Sequence, residues 1–567
     1  MDQNEIKKAA EAYIQQEAHP KFKTEVENLL KEGNWPELTE RFYTTLSFGT
    51  GGLRGIIGGG TNRMNPLVVR SSTQGLANYV NKAVSGPKSA VIAYDSRNYS
   101  DLFALEAALV LAANGIKTYV FTALRPTPEL SFAVRYLGAS TGIVVTASHN
   151  PSEYNGYKVY WNDGAQVLAP HDVGIIEEVR GVKTVKTLDR AQAEAQGLLV
   201  WIDESVDRPY LDMIKSQVLR PEIFTSAKSA KIVYTPLHGT GGALLPGLVK
   251  ELGLDLIPVP EQSIPDGNFP TVPSPNPEEA SALKMGLELA KARNADLLIG
   301  TDPDADRIGI AVPQGQEWVL LNGNQLGALL TEYVFSTLAT SGKMPKNPVF
   351  LNTIVTTDLQ NIIAESYGAK TYKVLTGFKY IGEKIREFET MADKPQYIFG
   401  GEESYGFLLG TAVRDKDAIS AAVLTIEMVL YLQSQGRSVV QELERIYEKY
   451  GYFKEILISK TFKGQAGLQK MKDFMAGLRV KAPEELGGIA LAKLLDYLPG
   501  KDLPSSDVVQ FILSEGSLVS VRPSGTEPKI KFYASCRASK GLTLAAAKKE
   551  VDDKLQRINQ ALDAMIG

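Results

Sequence analysis

The chain has 567 residues, which at roughly 150 residues per domain allows about four domains and excludes a single small module. With 44% hydrophobic and 22% charged residues it has the composition of an ordinary globular protein, not of a fibre or a disordered chain. Its 61 basic and 65 acidic residues leave a net charge of −4, so there is no basic excess for nucleic acid or an anionic membrane, and the expected partners are small ligands or proteins.

The single cysteine, Cys536, cannot close an intrachain disulfide, and the four histidines (His19, His149, His171, His238) lack zinc-site spacing. A reducing, cytoplasmic setting is expected, in line with a charged N-terminal stretch that has no signal-peptide core. Residues 1–45 carry apolar positions at helical spacing and predict a helical arm. Beyond it, VIAYDSR (91–97), the helix pattern LFALEAALVLAANG (102–115), KTYVF (117–121) and GIVVTASHN (142–150) alternate as βαβ units do. The cycle restarts at KIVYTPLHGTGG (231–242), reaching DLLIGTDPDADR (296–307), and again at VFLNTIVTTD (349–358), reaching QYIFGGEESYG (396–406). Gly239-Thr240-Gly241-Gly242 echoes Gly49-Thr50-Gly51-Gly52. The apolar run from Ala418 to Leu432 is too short to span a bilayer and predicts a buried helix. After about residue 452, short strands (FKEILIS, VVQFILS, GSLVSVRP, KIKFYASC) and a long closing helix from 542 to 566 predict an α+β unit. The expected division is an arm over 1–45, three related α/β (mixed-sheet) domains over 46–205, 206–322 and 323–450, and a smaller C-terminal α+β domain over 451–567. Linkers are expected near 205–210, 315–325 and 447–455.

Four loops carry candidate chemistry. Asp302, Asp304 and Asp306 alternate in a loop between apolar runs, where their repulsion calls for a cation. Oxygen-only ligation selects Mg²⁺, Mn²⁺ or Ca²⁺, and Arg307 and Pro313 stand where an EF-hand needs Gly and Glu. The same pattern also occurs as a bare acidic turn. Ser148, in Thr146-Ala147-Ser148-His149-Asn150-Pro151, sits at the carboxyl end of a strand, where open α/β sheets place ligands. G-x-S-x-G is absent, so no hydrolase elbow is implied, and by itself a capping turn ended by Pro151 explains the hexapeptide equally well. Arg522-Pro523-Ser524-Gly525-Thr526 offers a guanidinium fork, hydroxyls and free N–H groups, the ingredients of an anion site. Glu402, Glu403, Ser404 and Tyr405 offer acceptors and donors suited to sugar hydroxyls, although a solvated turn is the commoner reading of such a loop alone. Arg54, among glycines, and Lys158 add positive charge for a phosphate-rich ligand.

Together TASHNP, DPDADR, GGEESYG and RPSGTEP, in this order, resemble the α-D-phosphohexomutase family from about 41 to 535. The resemblance implies three α/β domains and an α+β domain arranged around a central active-site cleft. It implies that Ser148 is the phosphoryl carrier, that Asp302, Asp304 and Asp306 with a Ser148 phosphate oxygen hold one Mg²⁺, and that Glu402 and Ser404 bind sugar hydroxyls. Arg522, Ser524, Gly525 and Thr526 would grip the non-reacting phosphate. Arg54, Lys158 and Arg307 would surround the transferring group, with Lys158 a candidate for proton transfer. Lys379, in Thr376-Gly377-Phe378-Lys379, would contact substrate. His149 follows the serine as in the family. The family's acidic loop commonly reads DGDGDR; here Pro303 and Ala305 replace the glycines, while the ligands and the arginine remain. GEES followed by an aromatic is closer to glucose-type members than the GEMSGH of many mannose-type ones. The implied activity converts glucose 1-phosphate to glucose 6-phosphate through a phosphoserine and glucose 1,6-bisphosphate, with ribose- and mannose-phosphate members as alternatives and no oligomeric state implied.

Overall fold

The computed structural model describes residues 1–49, 51–227, 229–461, 464–523 and 529–566. Its packing separates the chain into two compact units, one of Met1–Leu321, Gly382–Thr390 and Gly406–Leu430, the other of Asn322–Ile381, Met391–Tyr405 and Tyr431–Gly567.

The first unit opens with three helices, Gln3–Gln16, Pro20–Glu32 and Trp35–Phe42. Asp2 and Glu5 form a capping box on the first, Gly33 at φ 67° ends the second, and Asn34 caps the third. The arm is more than an appendage: Ile6, Ala10, Tyr13, Val26, Leu38 and Phe42 make a core of their own. Phe22 joins the larger core under the sheet that follows.

That sheet has six strands in the order Gly52–Ile56, Tyr154–Trp161, Thr141–Val145, Ser89–Tyr94, Lys117–Phe121, Leu199–Ile202. The last four are parallel, and Tyr154–Trp161 is antiparallel to both its neighbours, so the sheet is mixed. Every residue of Thr141–Val145 is buried, which is why TGIVV reads as an unbroken run instead of alternating. A second sheet of five strands runs Glu317–Leu321, Ile308–Gln314, Leu297–Thr301, Ile232–Thr235, Leu256–Pro258. Leu297–Thr301 and Ile308–Gln314 are antiparallel with Thr301 opposite Ile308, so residues 302–307 form a hairpin loop.

In the second unit, Lys370–Val374, Pro348–Thr353 and Gln396–Glu402 lie parallel. The C-terminal sheet is antiparallel throughout, ordered Phe453–Thr461, Lys529–Arg537, Leu518–Pro523, Val509–Leu513, Ile489–Asp496, Glu485–Leu486. Lys529–Arg537 alternates buried and half-buried positions, setting Ile530, Phe532, Ala534 and Cys536 against Val551, Leu555, Ile558 and Leu562 of the closing helix Leu544–Ile566.

Three expectations are corrected. Residues 205–210 are not a linker but lie inside the helix Glu204–Ser216. The expected linker at 315–325 holds a hairpin turn at Gly315, the strand Glu317–Leu321 and the start of the helix Gly323–Thr340, capped by Asn322. At 447–455 the helix Val439–Tyr450 and the strand Phe453–Thr461 leave only residues 451 and 452 between them. In each case polar residues that suggest an exposed connection serve as caps, turns and solvent faces of regular elements. The strand Ile489–Asp496 was not anticipated either, because Ala-Leu-Ala-Lys-Leu-Leu has helical propensity and pairing with Val509–Leu513 overrides it. The apolar run at 418–432 is the helix Ala418–Ser434, in which Ile419, Ala422, Ile426 and Leu432 are buried. Among the described residues no single helix is long and apolar enough to cross a membrane.

Candidate active site

Ser148 follows the buried strand Thr141–Val145 and adopts φ 53°, in the left-handed region that costs a side-chain-bearing residue about 1 to 2 kcal/mol. It is buried, and its Oγ donates to Asp302 Oδ2 at 2.7 Å, with His149 Nδ1 at 3.1 Å. Burial, then the Arg307 and Arg54 charges, hold the His149 imidazole well below the ordinary histidine range.

The hairpin loop 302–307 brings the three aspartates together, and one ligand oxygen from each lies within 4.8 Å of the others. Asp302 Oδ1 accepts from the backbone N–H of Asp306 at 3.1 Å and of Arg307 at 3.0 Å, which curls the loop back on itself. Ala305, where the family commonly has glycine, takes φ 49°. The echoed glycines have a structural role here: a Cβ at Gly239 would lie 2.3 Å from Pro303 Cα, and Thr240 N–H donates to Pro303 O at 2.8 Å, so the second cycle's opening turn buttresses the acidic loop.

The loop is surrounded by donors. Lys158, on Tyr154–Trp161, places Nζ 2.7 Å from Asp304 Oδ2 and 3.4 Å from Asp306 Oδ2, and Thr127 Oγ1 donates to Asp304 Oδ2 at 2.8 Å. Lys416 Nζ lies 3.2 Å from Asp306 Oδ2 and 3.0 Å from Asp415 Oδ1, and Tyr160 donates to Asp415 at 2.6 Å. Arg307 pairs with Glu278, and Arg54 Nη1 reaches Asn150 Oδ1 at 3.4 Å. Burial, then the Asp304 and Asp306 charges, push the Asp302 carboxyl well above the usual range. Burial opposes charge on Asp304 and Lys158 too, but their mutual attraction outweighs it, holding Asp304 below the carboxylate range and Lys158 above its ordinary value. Asp304 Oδ1 and Asp306 Oδ1 are buried with no hydrogen-bond partner among the described residues. Burying two carboxylate oxygens without a hydrogen bond is costly, and three converging carboxylates are the donor set of a hard divalent cation. The site therefore fits the expected metal.

The second unit holds the remaining residues that sequence singled out. Glu402 ends the strand Gln396–Glu402, is buried, and accepts from Gly377 N–H at 2.8 Å. Gly377 has φ 118°, so this contact between the Glu402 loop and the TGFK turn depends on glycine. Glu403 accepts from Thr356 Oγ1 at 3.1 Å and Thr353 Oγ1 at 3.3 Å; burial and the Glu402 charge push it up to about 7. Ser404 lies in the turn before Tyr405, and Lys379 sits in the first turn of the helix Phe378–Thr390, its Nζ 5.3 Å from the Tyr380 ring. Arg522 is on the strand Leu518–Pro523, opposite Lys531, and interacts with Tyr533, which also feels the Glu403 and Glu402 charges. Ser524, Gly525 and Thr526 lie outside the described residues.

Ser148, His149, Lys158, Arg54, Arg307 and the three aspartates thus share one unit, while Lys379, Glu402, Ser404 and Arg522 share the other. Sequence reading did not single out Arg97, Thr127, Asp415 or Lys416. The charged run RDKD at 414–417, just before an apolar helix, was the available signal for Lys416. Thr127 carried none, since its role depends on a loop 177 residues away.

Four family profiles match in chain order: phosphoglucomutase/phosphomannomutase alpha/beta/alpha domain I over residues 45–186, domain II over 208–315, domain III over 322–450, and the C-terminal domain over 470–553. A phosphoglucomutase of Staphylococcus epidermidis is 38% identical over 516 residues, covering 88% of this chain and 92% of its own. One of Staphylococcus aureus is 36% identical over 538 residues, covering 92% and 93%. Among solved structures, the open form of the Paramecium exocytosis-sensitive phosphoprotein parafusin, a phosphoglucomutase, superposes with a TM-score of 0.69 at 19% identity, over 91% of this chain and 96% of its own. A phosphoglucomutase/phosphomannomutase family protein of Burkholderia thailandensis superposes with a TM-score of 0.66 at 19% identity, over 91% and 98%. At such identities the structural likeness speaks for the fold.

Proposed function

The chain belongs to the phosphoglucomutase/phosphomannomutase, or α-D-phosphohexomutase, family, and from that premise we propose that it is a phosphoglucomutase, an intramolecular phosphotransferase interconverting α-D-glucose 1-phosphate and glucose 6-phosphate. The observation that carries the reading is the Ser148 hydroxyl, buried and 2.7 Å from Asp302 Oδ2 at the edge of the acidic loop. Two relatives called phosphoglucomutase, at 36% and 38% identity over most of the chain, support the glucose-type choice.

In this reading phosphorylated Ser148 gives its phosphoryl group to the free hydroxyl of a sugar monophosphate. The P–Oγ bond breaks as the bond to the sugar oxygen forms, and the bisphosphate then returns its other phosphoryl group to Ser148. Asp302, Asp304 and Asp306, with an oxygen of phosphorylated Ser148, would hold Mg²⁺, which when bound neutralises charge on the transferring oxygens. Arg54 and Arg307 orient the phosphoryl oxygens, and Lys158 is the proton-transfer group. Glu402 and Ser404 bind sugar hydroxyls, Lys379 contacts substrate, and Arg522, with Ser524, Gly525 and Thr526, grips the phosphate that does not react. That clamp must accept phosphate in either orientation of the bisphosphate, a task for a guanidinium fork and hydroxyls, not for a shape-selective apolar pocket.

Two measurements test the proposal. Intact-mass and peptide mass spectrometry are expected to place one phosphate on Ser148, removed by excess sugar monophosphate and restored by glucose 1,6-bisphosphate. Catalytic efficiencies on glucose, mannose and ribose 1-phosphates are expected to rank glucose first; a strong preference for ribose or mannose overturns the glucose assignment.

A further inference from the structure

Asp95 and Arg97 follow the strand Ser89–Tyr94, and the mechanism above leaves both unused. Their side chains are completely buried and paired, Arg97 Nε to Asp95 Oδ2, at 3.3 Å. Taking two charges out of water is repaid only when the remaining donors and acceptors are also used. Arg97 spends its own on one loop. Nη2 donates to Ser148 O at 2.6 Å and to Asn150 O, and Nη1 to Pro151 O at 2.8 Å and Tyr154 O at 2.9 Å. Asp95 works from the other side of the same serine. Its Oδ2 accepts from Thr146 Oγ1 at 2.6 Å, and Thr146 Oγ1 in turn accepts from Ser148 N–H at 2.8 Å. Its Oδ1 accepts from Ser100 Oγ at 2.7 Å and Arg97 N–H at 2.9 Å.

Both backbone ends of Ser148 therefore run to one ion pair, the carbonyl to Arg97 and the amide through Thr146 to Asp95. Ser148 is also the residue held at φ 53°, a conformation that persists only where the surroundings over-determine it. The pair is backed by the neighbouring domain: the Phe269 ring lies 4.9 Å from the Arg97 guanidinium, and a Cβ at Gly267 would sit 2.4 Å from Asn98 N, so only glycine lets that segment close in.

We propose that the Asp95–Arg97 pair is the positioning device of the phosphoryl carrier, holding Ser148 in the left-handed conformation that aims Oγ at the acidic loop. Because it holds Ser148 through its backbone atoms only, it leaves Oγ to gain and lose a phosphoryl group. The inference rests on Ser148 being that carrier, and the experiment separates the two.

Full-length Arg97→Lys keeps a positive charge beside Asp95 but cannot fork to four carbonyls, and Thr146→Val keeps the side-chain shape while removing the oxygen between Ser148 and Asp95. Each is compared with wild type for melting temperature, for kcat and KM on glucose 1-phosphate, and for the rate of Ser148 phosphorylation by glucose 1,6-bisphosphate, followed by intact mass. Misaiming the carrier is expected to lower kcat and the phosphorylation rate by about 10- to 100-fold, with KM changed by less than about threefold because the sugar contacts are untouched. Leu111→Ala, a core truncation in the helix Ser100–Ala113, controls for lost stability and is expected to phosphorylate at the wild-type rate at temperatures where it is folded. Folded variants with wild-type phosphorylation rates, or losses confined to KM, overturn the proposal. Should Arg97→Lys not fold, Thr146→Val decides. A wild-type protein that never takes phosphate on Ser148 overturns the carrier reading instead.

Discussion

Around Ser148, opposite charges meet in pairs: Asp304 meets Lys158 at 2.7 Å, Asp306 meets Lys416 at 3.2 Å, and Asp95 meets Arg97 at 3.3 Å, all with buried carboxylates. Around Glu402, in the other unit, the described contacts include neutral donors: the Gly377 N–H to Glu402 and the Thr353 and Thr356 hydroxyls to Glu403. The first arrangement is fixed charge in a dry surrounding, where electrostatic interactions are strong and reorganise little. The second is a hydrogen-bonding surface, suited to telling hydroxyls apart. Under the proposed function the labour divides accordingly, with charge development assigned to the residues around Ser148 and substrate selection to those around Glu402.

The comparison predicts different failures on the two sides. Ser148→Ala removes the carrier and is expected to lower turnover by at least about 10⁴-fold, measured in a coupled glucose 6-phosphate assay, while glucose 1-phosphate still binds by calorimetry. Asp304→Asn takes one charge from the acidic loop and leaves Lys158 without its nearest partner; kcat should fall about 10²- to 10³-fold and Mg²⁺ affinity should drop in a titration. An unchanged Mg²⁺ affinity would detach the loop from metal binding. On the other side, Arg522→Lys keeps charge but loses the fork, so KM for glucose 1-phosphate should rise roughly 10-fold with a smaller change in kcat. A loss confined to kcat there would erase the division of labour.

The smallest effect is on stability. The Glu403 carboxyl, pushed up to about 7 in the folded chain from its ordinary 4.5, keeps its proton longer when folded than when unfolded. The folded state then binds more protons between those values, so this group's contribution is full below pH 4.5 and is lost as pH rises through 7. Glu403→Gln should flatten that part of the stability-versus-pH curve by roughly 1 kcal/mol, a figure discounted for the residue's partial exposure. Thermal melts of both proteins at intervals across the window measure it.

Much of this site was legible before any coordinates because its groups are local in sequence. Asp302, Asp304 and Asp306 stand within five residues, and no packing is needed to see that they repel one another and call for a cation. Ser148 was visible from the unbroken apolar run before it, and Arg522 and Glu402 from loops after strands. Arg97 looked like an ordinary charge at the end of VIAYDSR, because nothing local reveals that its guanidinium would be buried against four carbonyls from residues 148–154. Lys416 and Thr127 are of the same kind, reaching the acidic loop across 110 and 177 residues of chain. The expected linkers failed for a related reason: polarity marks solvent exposure, and a helix face or hairpin turn is as exposed as a connection.

The sequence by itself determined the order of α/β cycles, the α+β tail and the family, and it picked out the candidate reacting groups, since periodicity and short motifs are properties of neighbouring residues. Only the tertiary structure decided which charges meet: that Lys158 and Lys416 share the aspartates, that Asp304 and Asp306 each keep a buried oxygen without a hydrogen bond among the described residues, and that Ser148 hangs from Asp95 and Arg97. The physical reason is that burial and long-range pairing set the energy of a charge, and both are fixed by residues far away along the chain.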